Sequence, residues 1–401
     1  MQRTHRASTP RRARVSRRND ANRRWCIPPA LLREPDELLE GAGVLAELPG
    51  EAGLALWQSL RDVTLWAAVE PERRAGLFAG DAAGARLRLL RAAEAEPALE
   101  LALATLAALV GNPAAASAEI VTLVCLQVSR WAGERGKAAT AVGFAQCAAL
   151  ATPDDPCAAL EVGRAALRWG QGARAETWLR RTVGLARRAR DWSAYAEAWV
   201  ELARLHHRRG AGEASRRAYV RGVRAARRHG LVAVRGAGLH GLFLLAVEAG
   251  EPDEAERLAR AAVRSYGRAH PAVPGLLLDL GRLWVGEERW ERAVPLLQRL
   301  AAAHGEERGA ALALLARAAA GAGDRAGYQA AWSEAWSLAA REGDAAAGPL
   351  LLELARAAAA LRDWPRLEQA AREVLVSPRR PDPAVAAQVE ALVAAARRRP
   401  R

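Results

Sequence analysis

The chain has 401 residues, 51% hydrophobic and 26% charged, with a formal net charge of +14. That apolar share supplies a sizeable core and excludes a wholly disordered chain, and a mix rich in Ala, Leu and Arg with 5% aromatics argues against a β-rich fold. The four cysteines, Cys26, Cys125, Cys147 and Cys157, show no CxxC spacing, which argues against a zinc site or disulfide framework and for a reducing cytoplasm.

The charge is concentrated at the ends. Residues 1–33 carry ten arginines against Asp20, a net +9, and residues 379–401 carry +4, leaving +1 for the 345 between. Only one of the 59 basic residues, Lys137, is a lysine. Met1–Arg24 has no apolar periodicity, so residues 1–33 are expected to form a disordered basic tail. The plain readings are a solvated tail or a start site placed upstream of the true one, with Val15 as an alternative. The functional reading is an arm that meets nucleic-acid phosphates. The first 24 residues lack the apolar core of a signal peptide, and Leu99–Val110 is only about half the length needed to span a bilayer. A soluble cytoplasmic protein without a membrane partner is expected.

After a Pro-punctuated lead-in, Trp25–Pro35, residues 34–116 read as a helical N-terminal region, either a separate domain or degenerate repeats. Within Glu51–Val69, Leu56, Leu60 and Val63 form one stripe, which Trp57 and Leu65 widen. Pro71 begins a helix expected to run to about Phe78, followed by helices over Ala85–Glu96 and Pro97–Val110.

From Ser117 the pattern becomes regular. An apolar residue, a small one and usually arginine recur as Val128-Ser129-Arg130, Val162-Gly163-Arg164, Leu202-Ala203-Arg204, Leu242-Phe243-Leu244, Leu280-Gly281-Arg282, Leu315-Ala316-Arg317 and Leu354-Ala355-Arg356. Twelve residues past each small position comes a residue expected to face back into the helix pair: Ala141, Ala175, Ser215, Ala255, Ala293, Tyr328 and Leu367. One helical turn later come Ala145, Leu179, Tyr219, Ala259, Leu297, Trp332 and Ala371. The expected inter-helix turns at 136, 170, 210, 250, 288, 323 and 362 are spaced 34 to 40 residues apart, a helical-repeat period. Asp382-Pro383 then opens a last helix, with Asp382 as N-cap, ending at Arg397–Arg399. Residues 379–401 read as a capping helix and basic C-terminus.

Leu277-x2-Leu280-Gly281-x2-Trp284 followed by Ala293-x3-Leu297 resembles the tetratricopeptide repeat (TPR), as does Trp199-x2-Leu202-Ala203-x2-His206 followed by Ser215-x3-Tyr219. The resemblance covers residues 117–378. It implies an all-α right-handed superhelix of about seven helix pairs whose first helices line a concave groove. Phe243 departs from it, standing where a small residue belongs.

On that resemblance, Arg130, Arg164, Arg204, Arg282, Arg317 and Arg356 share one place facing the groove in six of seven repeats, and His207 faces it too. Aligned guanidiniums would grip an acidic or extended segment of a protein or peptide partner. Leu167, Leu278 and Val285 would add apolar contact. The plain alternative is that arginine is the default solvated helix residue of this chain. A second basic feature is Arg174–Arg235, with sixteen arginines against five acids. Its Arg216, Arg217, Arg221, Arg224 and Arg228 fall on the face of a second helix opposite Ser215, Tyr219 and Gly222. Nucleic acid could dock there, although no aromatics are interleaved for base stacking.

No catalytic, cofactor or metal site emerges. Gly136-Lys137 tempts a phosphate-loop reading, but Trp131 stands where a glycine is needed and Ala138 where a metal-binding hydroxyl is needed. His206 and His207 diverge by about 100° on a helix, too far to share a metal. The expected function is a non-catalytic binding scaffold, regulatory or signalling in role, with a nucleic-acid-associated regulator as the alternative. The oligomeric state is left open.

Overall fold

A computed structural model describes residues 39–80, 82–303, 305–340, 344–376 and 382–398. The basic tail of residues 1–33, Cys26, Pro35–Glu37, Arg379, Arg380 and Arg399 lie outside the described residues. Among those described there are nineteen α-helices, two 3-10 helices and no strands. The fold class is therefore all-α. Packing divides the chain into two units, up to Leu205 and from His206 onward.

The first unit holds α1 (Leu39–Glu47), α2 (Glu51–Ala68), α3 (Ala82–Ala95), α4 (Glu100–Gly111), α5 (Ala118–Glu134), α6 (Ala138–Ala151), α7 (Pro156–Arg168), α8 (Gly172–Ala189) and most of α9 (Trp192–Arg208). Here α5 pairs with α6 and α7 with α8. One buried cluster runs from Val44 to Leu185, so the N-terminal helices share a core with these first pairs. A second tie is polar. The Glu47 carboxylate accepts from the backbone N–H groups of Ala139 and Thr140 at 2.7 and 3.0 Å and from the Thr140 hydroxyl at 2.9 Å. It thereby caps α6, whose own N-cap residue, Lys137, makes no side-chain cap. The Lys137 ammonium is itself spent on the Glu47 carbonyl, 2.7 Å away.

The stripe of α2 differs from expectation by one residue. Leu56, Leu60 and Val63 are buried, but Leu65 is exposed and Trp66 is fully buried in its stead. Trp66 follows Val63 by three residues and so stays on the same face. Its indole donates to the Pro113 carbonyl at 2.8 Å, and the Arg74 guanidinium lies 3.8 Å over the ring. Pro71–Gly76 is a short 3-10 helix rather than an α-helix reaching Phe78, and Pro97–Leu99 is a 3-10 turn leading into α4.

The second unit holds α10 (Gly212–Arg228), α11 (Val232–Glu248), α12 (Pro252–Tyr266), α13 (Val273–Gly286), α14 (Trp290–Ala302), α15 (Arg308–Gly321), α16 (Arg325–Ala339), α17 (Asp344–Leu361), α18 (Trp364–Val376) and α19 (Pro383–Arg397). Its pairs are α11/α12, α13/α14, α15/α16 and α17/α18. Asp382 caps α19, accepting from the Ala384 N–H at 2.8 Å.

All seven expected turn positions adopt the left-handed conformation, as Gly136, Gly170, Gly210, Gly250, Glu288, Gly323 and Arg362. After each, the next N–H reaches back five residues: Lys137 to Ala132, Gln171 to Ala166, Ala211 to His206, Glu251 to Ala246, Arg289 to Trp284, Asp324 to Ala319 and Asp363 to Ala358. These bonds of 2.8 to 2.9 Å are the Schellman closure that ends a helix and reverses the chain. The same turn thus joins every first helix to its second.

The packing columns follow from it. All fourteen second-helix residues expected to face inward are buried. A Cβ on Gly163 would come within 2.6 Å of the Leu179 side chain, and one on Gly281 within 2.8 Å of Leu297. At the aberrant fourth repeat, Phe243 is fully buried and the second-helix residues at its level are both alanines, Ala255 and Ala259. Bulk has moved from one helix to the other, which conserves volume.

Glu288 and Arg362 sit in left-handed backbone without being glycine. Glu288→Gly and Arg362→Gly should each raise stability by about 0.5–1 kcal/mol, because side-chain strain exceeds the added chain entropy. The urea unfolding midpoint measures this, and Gly250→Ala should shift it the opposite way.

Candidate functional site

The arginine column lies on the first helices of both units. In the first unit, Arg164 of α7 meets three carboxylates: Glu161 at 2.8 Å, Glu197 at 2.5 Å and Glu201 at 3.4 Å. Arg204 of α9 meets Glu201 at 2.9 Å. The Glu201 side chain is only 9% exposed, so its charge depends on these two guanidiniums. Burial alone would push the Arg164 pKa down, but the hydrogen bond with Glu161 and the charges of Glu201, Glu161 and Glu197 outweigh it and raise the value. Arg130 is exposed and makes no ion pair among the described residues.

In the second unit, Arg282 meets Asp279 at 2.7 Å, and Asp279 also lies 3.1 Å from the His240 ring. Arg317 and Arg356 share Glu353, at 2.9 and 2.5 Å, and Arg356 donates to Gln388 of α19. His207 lies 3.3 Å from Glu248.

A rule underlies these pairs. An acid stands three residues before the arginine in Glu161–Arg164, Glu201–Arg204, Asp279–Arg282 and Glu353–Arg356, where one helical turn brings them together. Arg164, His240 and Arg317 reach forward to that same acid in the following repeat, Glu201, Asp279 and Glu353. The column is thus a ladder of guanidiniums and carboxylates. Its acidic half was written in the sequence as an acid-x-x-Arg spacing. The apolar companions fare differently. Leu167, Leu278 and Val285 are all buried, so they pack the repeats and offer nothing to a ligand.

On α10, Ser215, Tyr219 and Gly222 are buried while Arg217, Arg221, Arg224 and Arg228 are exposed. Arg216 departs from this group, half-buried and 3.4 Å from Glu251. No group of three or more His, Cys, Asp or Glu suited to a metal occurs among the described residues, and no described helix is long and apolar enough to cross a membrane.

A smaller polar site lies at the last left-handed turn. Tyr328 donates to Asp363 at 3.2 Å, beside a cavity of about 280 Å³ lined also by Arg325, Gln329 and Arg362. The Arg366 guanidinium lies 5.2 Å from the centre of the Tyr328 ring and 5.6 Å from that of Trp332.

The helix pairs, their period and their shared turn make this a TPR-like helical-repeat protein. No protein-family model matches the sequence, and no curated protein does. Among solved structures the chain is similar to pilF of Pseudomonas aeruginosa, at 16% identity over 55% of this chain and 93% of that one, with a TM-score of 0.45. It is also similar to the apo form of RapI (11% identity, 68% and 99% coverage, TM-score 0.48) and to a Rap protein complexed with competence and sporulation factor (11%, 85% and 99%, 0.45). The likeness is one of helix pairing, and the fold class rests on the repeat geometry described above.

Two predictions follow from the ladder and the tyrosine. Arg164→Ala should cost about 2 kcal/mol, because it leaves the nearly buried Glu201 with one partner; Arg164 is itself one-third exposed, which keeps the loss below that of a fully buried pair. Urea unfolding of the variant beside Arg164→Lys would measure it, the lysine recovering part of the loss. Burial, against the opposing hydrogen bond from Arg366, pushes Tyr328 from 10.0 up to about 12. Its neutral form is therefore favoured on folding. That stability is fully present below pH ~10 and is lost as pH rises towards ~12, amounting to about 3 kcal/mol. Tyr328→Phe should remove this part of the alkaline decline in the unfolding midpoint.

Proposed function

We propose that the protein is a non-catalytic scaffold of the reducing cytoplasm that binds an extended segment of a partner protein on its first helices, in a regulatory or signalling role. The observation that carries this reading is the register of the ladder. Charged groups recur at one place in six of the seven repeats, and five of them are held by neighbours of opposite sign. Ordering these side chains before binding lowers the entropy lost when a partner docks. The half-exposed Arg204 and Arg282, with the exposed Arg130, keep donors free for partner carboxylates. Since every column guanidinium but that of Arg130 already faces an acid, the best-suited segment carries acidic groups interspersed with cations that meet acids such as Glu161. Three free cysteines among the described residues, two of them buried, accord with a reducing compartment.

The test is quantitative capture from nuclease-treated lysate by wild type and by Arg204→Ala combined with Arg282→Ala. These side chains are about half exposed, so the fold should survive their loss. Partners retained by wild type should fall about tenfold with the double variant, in line with the loss of binding hot spots. Equal retention would refute the reading.

A nucleic-acid reading has one observation in its favour, the exposed face of Arg217, Arg221, Arg224 and Arg228 on α10. It requires that a labelled single-stranded oligonucleotide bind with an affinity that falls steeply with salt, and that alanine at those four positions flatten the slope. Salt-insensitive or absent binding would remove it.

A further inference from the structure

Away from the first-helix face, the second unit contains a charge arrangement that the ladder does not account for. Glu256, in the second turn of α12, has a side chain only 7% exposed, yet three guanidiniums converge on it. Arg292 donates to both its oxygens, at 3.0 and 3.1 Å, Arg289 donates at 3.2 Å, and Arg260 completes the set from one turn along α12. A carboxylate has about four acceptor sites, and these bonds occupy them. Each guanidinium carries five N–H donors, so most of the fifteen are left over.

The surplus is also one of charge. One carboxylate cannot neutralise three cations, and Asp253, the other acid of the group, is 92% exposed and reaches only Arg289, at 3.4 Å. Beside them Arg257 is held by Glu254 through two bonds, of 2.7 and 2.5 Å. Arg257, Arg260, Arg289 and Arg292 line an open cavity of about 480 Å³ together with Asp253 and Glu256; with Glu254 set against Arg257, the four cations face three carboxylates and the group keeps one positive charge in excess. Mutual repulsion of clustered cations disfavours such an arrangement unless an anion relieves it. Glu256 acts as the internal counter-ion that gathers the forks, and the cavity is the space in front of them.

We propose that this cavity binds a dianionic phosphate, free or as a monoester. The anion offsets the excess positive charge, and its three terminal oxygens are acceptors for the unused fork donors. A planar, permanently charged guanidinium suits that geometry, which explains arginine at all four positions. The phosphoryl group could be free in solution or carried on a peptide, and the chemistry of recognition is the same.

Isothermal titration of the full chain with inorganic phosphate, and separately with a short phosphoserine peptide, tests the proposal. Binding of both should strengthen as pH rises from about 6 to 8 and the dianion forms. Sulfate, a dianion throughout that range, should show no such rise. Arg260→Gln combined with Arg292→Gln, both side chains more than half exposed, should weaken phosphate binding at least tenfold. Arg292→Lys, which keeps the charge and loses the fork, should fall between. The phosphopeptide binding much more tightly than inorganic phosphate would assign the group to a protein, whereas equal affinity would assign it to a free phosphate. Absence of phosphate binding to wild type overturns the proposal. So does equal binding by the double variant, or an effect that sodium chloride reproduces at matched ionic strength. If the double variant fails to fold, the contrast of phosphate with sulfate across pH on wild type decides alone.

Discussion

The left-handed residue that ends each first helix is the constraint on which the remaining geometry depends. Once the chain reverses there with a five-residue-back hydrogen bond, the second helix returns at a set height along the first. That height determines which residues meet, so Gly163 lies against Leu179 and Gly281 against Leu297. A fixed register also lets bulk be traded between the helices, as where Phe243 is matched by Ala255 and Ala259. Glycine satisfies the turn at five places, and Glu288 and Arg362 adopt it at two, at a cost in backbone strain.

The same regularity organises charge. A place that recurs once per repeat puts like charges in line, and a row of guanidiniums alone would repel itself. The acids three residues earlier solve this twice over, within a helix and between successive first helices. Arg164 shows the consequence, since its proton is held more tightly despite burial. In each unit the paired arginines of the first helices are consequently held in place. A partner bound there would have to exchange or extend existing pairs, which favours specificity over raw attraction.

Much of this was legible in the sequence, and the losses are instructive. Turn positions and inward columns could be read because a 34–40-residue period repeats them, so each copy corrects the others. Trp66 was mistaken for Leu65 in a single unrepeated helix, where one residue's rotation is hard to fix from pattern alone. Leu167, Leu278 and Val285 were placed correctly on the first helices but assigned to the groove, whereas they pack between repeats; periodicity gives a helix two apolar faces in a stacked array, and only packing tells them apart. Glu47 capping α6 spans more than ninety residues and left no local signal. The acid-x-x-Arg spacing stands before four of the six column arginines, Arg164, Arg204, Arg282 and Arg356, and gives the ladder its acidic half.

The two families of helices treat arginine in opposite ways, and this difference carries functional weight. On the first helices five of the six column arginines meet a carboxylate. On the second helices Arg217, Arg221, Arg224 and Arg228 stand exposed on α10, and around Glu256 three guanidiniums share one carboxylate. Composition alone would spread excess arginine evenly over solvated positions, with partners as chance allows. A nearly buried carboxylate surrounded by three guanidiniums is not a solvated position, and ordering three long side chains around it costs about 2 kcal/mol of rotamer entropy for each. An arrangement that costs this much in side-chain freedom and still leaves net charge unbalanced is better explained by an anionic ligand than by stability.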